Sequence, residues 1–165
     1  MNQNKTFIFE KIPSNLSEFL ELEEVVMENP LQTAALTVLA LCIYCEDKEI
    51  GIEILNTLKG PQPLSTYEQQ FLKDRLVDKK YLPYSYFEGA TPENNYTPTN
   101  PFKITVMENP YSYNEEGYAK LLIKSSGADQ ERPIKLRCKG KEKWFLWEQF
   151  LLSDIKQPIT SDPWA

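Results

Sequence analysis

The spacing of apolar residues in the first half of the chain is helical. Between residues 16 and 27, apolar positions recur about every three or four residues, with glutamates between them. Residues 31–45 are apolar nearly all round, which predicts a buried central helix. Two more helices are predicted at residues 46–58 and 65–79, the second opened by the capping-box sequence STYE. The pattern therefore predicts about four helices within residues 1–80.

After residue 82 the pattern changes from helical spacing to alternation. Apolar and polar residues alternate along residues 102–106, 119–124 and 134–138, as they do in strands with one buried and one wet face. The run KWFLWEQFLL suits a fourth strand that bends at or after Glu148. Helices first and strands second predict an α+β fold: an N-terminal helical bundle of about four helices followed by a small antiparallel β-meander or open barrel.

Two tryptophans in that last run cannot both face the core of a plain strand. Trp144 and Trp147 are an odd number of positions apart, so alternation turns their side chains to opposite faces. Either the strand carries a bulge or one indole reaches the surface, where it would anchor a partner. Packing under the C-terminal tail is the alternative.

A segment rich in proline and asparagine joins the two halves. The sequence GATPENNYTPTNP, residues 89–101, uses residues that restrict the backbone and form local hydrogen bonds, whereas flexible linkers use glycine and serine. We expect an ordered strap against the protein, and long ordered loops are often functional. Asn94, Asn95 and Tyr96 are its candidate contacts to a ligand or partner, with a purely structural strap as the alternative. The predicted organisation is one compact unit with a helical part (residues 1–80), the strap (81–101) and a β part with a C-terminal tail (102–165).

Composition and charge narrow the range of partners. The 165-residue chain has a net charge of −6, and an acidic chain repels nucleic acid and anionic membranes at long range. We therefore expect no membrane partner, and nucleic acid is an unfavoured one. The longest apolar run, about twelve residues, is shorter than the ~20 that span a bilayer, and the N-terminus lacks the pattern of a signal peptide. Three cysteines, an odd number, argue against a disulfide framework, and together these features predict a cytoplasmic protein.

Histidine is absent from the sequence. No histidine can therefore act as a general base, as part of a nucleophile–histidine pair or as a metal ligand. Cys42 and Cys45 have C-x-x-C spacing, but they lie in the most apolar predicted helix without a second pair, so we interpret them as core residues. We expect no metal site and no cofactor. Any catalysis would depend on carboxylate, lysine, tyrosine or cysteine groups.

Five basic residues share the wet face of the predicted sheet if the alternation is right. They are Lys103, Lys120, Lys124, Lys135 and Arg137. Such a face can bind an anion or a nucleic acid, but lysine is also a common means of keeping a sheet surface soluble. No aromatic residue interleaves convincingly with these charges in the sequence, which weakens the nucleic-acid interpretation.

Three stretches of the sequence resemble one family. They are YLPYSYFEGATPENNYTP, PFKITVMENPYSY and YAKLLIKSSGADQERPIKLRCKGKEKWFLWEQFLLSDIKQP. Over residues 63–163 the chain resembles a bacterial family of uncharacterised proteins, catalogued as a domain of unknown function. The resemblance implies a bacterial, intracellular protein with no assigned chemistry, and it supplies no site residues.

Three functional hypotheses follow. The leading one is a non-enzymatic binding or protein-interaction module, with candidate contacts Asn94, Asn95, Tyr96, Trp144 and Trp147. The first alternative is a small enzyme with carboxylate, tyrosine or lysine chemistry in a cleft between helices and sheet, with candidates Glu88, Tyr96 and Arg132. The second is an anion or nucleic-acid binder that uses the lysine face. The expected partner is a protein or a small molecule, and homo-oligomerisation is open.

Overall fold

The structure, a computed structural model, describes residues 3–140 and 142–164. Within these residues it has five α-helices and a five-stranded antiparallel sheet, which confirms the α+β prediction. The helices are α1 (Leu16–Leu20), α2 (Pro30–Glu46), α3 (Lys48–Lys59), α4 (Thr66–Leu76) and α5 (Tyr81–Tyr84). The strands are β1 (Asn4–Phe9), β2 (Phe102–Met107), β3 (Tyr118–Ile123), β4 (Arg132–Lys139) and β5 (Lys143–Gln149). Short 3-10 helices lie at Glu23–Val26, Pro92–Asn94 and Ile159–Ser161.

The order of the elements differs from the expected one. Strand β1 precedes all the helices and pairs antiparallel with β2, with Phe7 opposite Ile104. The prediction of an N-terminal part made only of helices is therefore not confirmed. The sheet is open and its strands follow chain order, β1-β2-β3-β4-β5. The first strand thus belongs to the same sheet as the four strands from the second half of the chain.

Helix α2 forms the centre of the core. Asn29 caps it with a capping box to Gln32, and Pro30 occupies its first turn, where a missing N–H has no cost. Its seventeen residues are buried on nearly every side, because the five strands contact one side of the helix and α3 and α5 contact others. The prediction of a buried central helix is confirmed.

The cysteines of the C-x-x-C spacing are packing residues. Cys42 is fully buried on α2, and burial raises the pKa of its thiol. Burial, with the nearby Glu46 carboxylate, also raises the pKa of Cys45 to about 12. Thiols that stay protonated at neutral pH are weak nucleophiles and weak metal ligands, so their interpretation as core residues is confirmed.

The sheet has a buried inner face and a partly exposed outer face. Its inner residues pack on α2 and are fully buried; they include Ile104, Val106, Ala119, Leu121, Ile123, Ile134 and Leu136. On β5, Leu146 lies opposite Leu136 but Glu148 lies opposite Lys135, so Trp147 is an extra residue. A bulge, one of the alternatives that the tryptophan spacing left open, is present at Trp147.

Across the described residues, none of the helices combines the length and the apolar character that crossing a membrane requires.

Candidate functional site

The strap is ordered by its own side chains. Asn94 ends a 3-10 turn that Thr91 caps, and its amide oxygen accepts the N–H of Thr91 at 2.9 Å and that of Thr97 at 3.0 Å. Its amide nitrogen donates to the carbonyls of Gly89 at 2.8 Å and Thr97 at 3.2 Å. These bonds occupy both ends of the amide, so Asn94 shapes the loop and has little capacity left for a ligand.

Tyr96 and Asn95 hold the C-terminal tail. The Tyr96 ring is buried and stacks on Tyr81 with centroids 5.7 Å apart, and its hydroxyl donates to the Lys156 carbonyl at 2.6 Å. The Asn95 amide oxygen accepts the Thr160 hydroxyl at 2.8 Å. Tyr96 is therefore buried, and the exposed Asn94 and Asn95 are bonded to other parts of the protein, which favours the structural interpretation of this segment.

Removing the Tyr96 hydroxyl tests this clamp. Burial raises the pKa of Tyr96 to about 12, above its usual value of 10.0, so the neutral form is favoured in the folded state. The resulting stability is complete below pH 10 and is lost as the pH rises through 12. We expect Tyr96→Phe to lower the unfolding free energy by about 1 kcal/mol at neutral pH, and to flatten the alkaline limb of its pH profile. Urea titrations from pH 8 to 11.5 measure both effects. An unchanged alkaline limb would contradict this role.

The residues proposed for an enzyme serve separate structural roles. The Arg132 guanidinium donates to three carbonyls, those of Ser153 at 3.0 Å, Asp154 at 2.9 Å and Gln130 at 3.2 Å. Glu88 is exposed, and its backbone pairs with Lys103 and Thr99. Neither a hydrogen bond nor an ion pair joins the Glu88 and Arg132 side chains among the described contacts. The Tyr96 hydroxyl is bonded to the Lys156 carbonyl. Within the described residues, Glu88, Tyr96 and Arg132 therefore do not come together as a catalytic group.

A cleft of ligand size lies instead between α3, α4 and β5. Its volume is about 310 Å³, and a floor of leucines from α2, α3, α4 and β5 lines it. Four aromatic residues line it: Tyr67 and Phe150 form an exposed rim, at 79% and 46% exposure, whereas Phe71 and Trp147 are half-buried. Apolar clefts of roughly 300 Å³ or more are typical of small-molecule sites. The floor leucines are Leu41, Leu55, Leu64, Leu72 and Leu146.

An ion pair between a buried lysine and a partly exposed glutamate lines this cleft. Only 7% of the Lys59 side chain is exposed; its ammonium donates to Glu68 Oε2 at 2.9 Å and to the Trp147 carbonyl at 3.2 Å. The other Glu68 oxygen completes the predicted capping box by accepting the Ser65 N–H at 2.9 Å. Partial burial by itself would raise the pKa of Glu68, but the hydrogen bonds from Ser65 and Lys59 outweigh it and leave this pKa below its usual value. Glu68 is therefore a carboxylate at neutral pH.

No sequence pattern singled out Lys59 as a site residue. A lysine in the last turn of a helix, before glycine, is an ordinary C-terminal residue, because its charge complements the helix dipole. Its partner carbonyl lies at the β5 bulge, 88 residues away in the chain. The tryptophan spacing indicated a bulge as one alternative, but no local pattern in the sequence places α3 beside it.

A second cleft adjoins the first on the far side of Lys59. Its volume is about 320 Å³, and it shares Lys59, Leu146 and Trp147 with the first. Its remaining walls come from the turn after α3 and from the β4–β5 hairpin. These residues are Pro61, Gln62, Arg137, Cys138, Lys139 and Phe145. Lys59, Leu146 and Trp147 thus line both clefts, and Arg137 and Lys139 add basic groups to the second.

Trp144 lies on the same strand but has a different role. Its ring is half-buried and meets Tyr113 edge-on, with centroids 6.4 Å apart. The backbone N–H of Trp144 donates to the Met27 carbonyl at 2.9 Å, and the backbone carbonyl of Trp144 accepts the Thr33 hydroxyl at 2.7 Å. These bonds cover part of the free edge of β5, which would otherwise be open to another strand.

Aromatic residues do interleave with the basic face of the sheet, contrary to the sequence interpretation. Lys135 Nζ lies 4.4 Å from the ring centroid of Tyr118, and Arg137 Cζ lies 4.7 Å from that of Trp147. The Tyr118 and Trp147 rings meet edge-on at 5.7 Å. Lys120 and Lys124 are exposed on or just after β3, and Lys103 is half-buried on β2. Trp147 lies on the same face as Phe145, which is opposite Arg137, and the alternation within one strand did not supply this register between β4 and β5.

The described residues hold no cluster of three or more cysteine, aspartate or glutamate side chains arranged for a metal ion.

The fold and these clefts define an α+β protein with a two-chambered cleft beside one edge strand of a helix-backed sheet. The chain belongs to the family described as "Domain of unknown function (DUF6935)", which matches residues 11–159. The resemblance seen in the sequence is therefore confirmed, and the match extends further towards the N-terminus than residue 63. The searches of curated proteins and of solved structures returned no match.

Proposed function

We propose that the protein is a non-enzymatic binding module whose ligand occupies the cleft between α3, α4 and β5. The ligand is a compact apolar molecule that carries one hydrogen-bond acceptor. The observation that carries this proposal is the combination of a leucine floor and an exposed aromatic rim with a buried ammonium at one end. Clefts of this kind bind through apolar contact and orient the ligand through a few polar groups.

The acceptor follows from the hydrogen bonds of Lys59. An ammonium has three N–H donors, and within residues 3–140 and 142–164 two of them are assigned, to Glu68 and to the Trp147 carbonyl. A carbonyl or carboxylate on the ligand can take the third. A cationic ligand would meet the buried ammonium of Lys59, which lines the cleft, so we expect the site to reject it.

The enzyme alternative has less support from the geometry. Its candidates Glu88, Tyr96 and Arg132 are engaged in separate loops and do not converge. The cleft between helices and sheet that this alternative required is present, but its charged pair, Lys59 and Glu68, is bonded internally.

The proposed setting is the bacterial cytoplasm. Support comes from the three cysteines, none of which forms a disulfide among the described residues, since a reducing compartment keeps thiols free.

Two probes of similar shape test the cleft. Benzamide carries an acceptor and benzylamine carries a cation, so we expect benzamide to shift the amide NMR signals of Tyr67 and Phe71 and benzylamine to leave them in place. Tyr67→Ala should weaken benzamide binding by about 2- to 10-fold, the usual contribution of an aromatic contact. Tyr111→Ala is the matched control, because Tyr111 is 70% exposed and lies outside the cleft. Equal losses in the two variants, or stronger binding of benzylamine, would overturn the proposal.

A further inference from the structure

The outer face of strands β3, β4 and β5 carries concentrated positive charge in an acidic protein. Two pairs of basic residues lie directly opposite each other: Lys120 with Lys135, and Lys139 with Lys143. Like charges at opposing positions destabilise a sheet. Solubility does not require this arrangement, because basic residues spread over the surface would serve as well without the repulsion. The concentration of charge therefore points to an anionic partner.

Salt bridges neutralise little of this charge. Glu115 pairs with Lys135 at 2.9 Å, and Glu148 lies opposite Lys135 on β5. Lys120, Arg137, Lys139 and Lys143 form no ion pair within the part of the chain that the structure describes. Arg137 belongs to a cross-strand row with Tyr118 and Phe145. Lys120 lies on one side of this row, and Lys139 and Lys143 lie on the other, so charge flanks a central strip on both sides.

Flat π-surfaces fill that central strip. Arg137 lies opposite Tyr118 on β3 and Phe145 on β5, and its guanidinium stacks on Trp147 at 4.7 Å. Arg137 itself is exposed, so the outer side of its planar guanidinium is free to stack on another ring. Unpaired nucleobases stack on aromatic rings and on guanidinium planes, while lysines beside them contact the phosphates.

We propose that this outer face binds single-stranded nucleic acid, with bases stacked along the row of Tyr118, Arg137 and Trp147 and phosphates on the flanking lysines. A duplex hides its bases, so it can use only the lysines. This proposal does not rest on the ligand of the apolar cleft, because Tyr118 and Arg137 do not line that cleft, although Trp147 does. The net charge of the chain argued against such a partner, but the local charge decides binding at contact distance.

Fluorescence anisotropy with labelled 15-mers of dT and rU, and with a 15-base-pair duplex, tests the proposal. At low salt we expect both single strands to bind about 10-fold or more tightly than the duplex. With three to four phosphate contacts, the logarithm of the association constant should fall with the logarithm of salt concentration with a slope of about −2 to −3. A difference between dT and rU shows whether DNA or RNA is the preferred form, because only RNA offers a 2′-hydroxyl.

Variants separate the charge contribution from the stacking contribution. Lys120→Gln/Lys139→Gln should reduce the steepness of the salt slope by about 1.4. Because it relieves like-charge repulsion, this variant should keep or raise the melting temperature, so a loss of binding would not reflect misfolding. Arg137→Lys keeps the charge but removes the planar group, and we expect about 3- to 10-fold weaker binding. The matched control is Lys48→Gln/Lys79→Gln, which removes the same charge from exposed positions outside the sheet.

Several results would overturn the proposal. They are the absence of binding at 100-fold excess protein at low salt, equal affinity for the duplex, and a loss in the control as large as that in the sheet-face variant. Affinity for a 15-residue polyglutamate peptide that equals the affinity for the single strands would assign the surface to an acidic protein instead.

Discussion

Replacing Gly51 by alanine is expected to lower the unfolding free energy by about 2 kcal/mol. Gly51 lies on α3 where it crosses α2, and an added methyl group would lie 2.7 Å from the backbone nitrogen of Tyr44 and closer still to its Cα. Backbone atoms cannot rotate away, so the two helices would have to separate. Overpacking of this kind costs roughly 1–3 kcal/mol, and the upper part of that range applies where backbone must move. For a chain of this length, the melting temperature should fall by about 4–8 °C.

The direction of the change in unfolding free energy distinguishes crowding at Gly51 from the effect of helix propensity. In an uncrowded helix, changing glycine to alanine stabilises by about 1 kcal/mol, because alanine has the higher helix propensity. Stabilisation on the Gly51→Ala change would show that α2 and α3 are further apart than in the structure. Glu53→Ala, at an exposed position of the same helix, is the control and should change the unfolding free energy by less than about 0.5 kcal/mol. Chemical denaturation with far-ultraviolet circular dichroism measures both variants.

Replacing Lys59 by alanine is expected to destabilise the protein by about 2–4 kcal/mol. Most of this loss comes from the partly buried Trp147 carbonyl, which would lose its donor at a cost of about 1–3 kcal/mol. The buried stem of the lysine contributes about 1 kcal/mol through its packing. The ion pair itself adds little, less than about 1 kcal/mol, because 38% of the Glu68 side chain is exposed to solvent.

Companion variants separate these contributions. Lys59→Met keeps the stem and loses the ammonium, so it should be about 1 kcal/mol less destabilising than the alanine variant. A double-mutant cycle with Glu68→Gln should give a coupling energy of about 0.5–1 kcal/mol.

Because the folded-state pKa of Glu68 lies below its usual value of 4.5, its contribution is present above pH 4.5 and is lost as the pH falls further. The acid limb of the stability profile should therefore be flatter in Lys59→Met. Equal stability of the wild type and the methionine variant would contradict the role of the ammonium.

Local sequence signals succeeded where the structure they predict is itself local. The capping boxes at Asn29 and Ser65 begin α2 and α4, because side chain, backbone and cap all lie within four residues. The alternation of residues 102–106, 119–124 and 134–138 predicted β2, β3 and β4. Each of those strands has one face on α2 and the other in solvent, which is the condition under which alternation appears.

The signals failed where the partner is distant along the chain. Strand β1 has only Phe7 and Phe9 turned inward, so its six residues give a weak pattern, and its partner β2 lies almost a hundred residues away. The strap was recognised as ordered, but composition could not show that Asn94 and Tyr96 satisfy bonds inside the protein. Whether a polar residue faces inward depends on which segment packs over it, and for Tyr96 that segment is the tail around Lys156.

The candidate sites divide in the same way. The basic residues of the outer face could be collected from the sequence, because alternation alone puts Lys120, Lys135 and Arg137 on one side. Their contacts with aromatic rings could not, because the approach of Arg137 to Trp147 depends on the register between β4 and β5, which alternation within one strand does not give. The cleft was likewise hidden, since its walls come from α2, α3, α4 and β5 and its ammonium comes from an unremarkable lysine.

The sequence by itself determined the fold class, the buried central helix, the absence of histidine chemistry and the membership of the family. Tertiary structure alone decided that β1 forms one edge of the open sheet and that the Lys59 ammonium bonds to the Trp147 carbonyl at the bulge. It also decided that Tyr96 of the strap is buried against the tail and that cations and rings form one row. The physical reason is the range of the forces involved. Capping and amphipathic periodicity act over a few residues, whereas burial, ion pairing and stacking depend on groups that only the packed chain brings within a few ångströms.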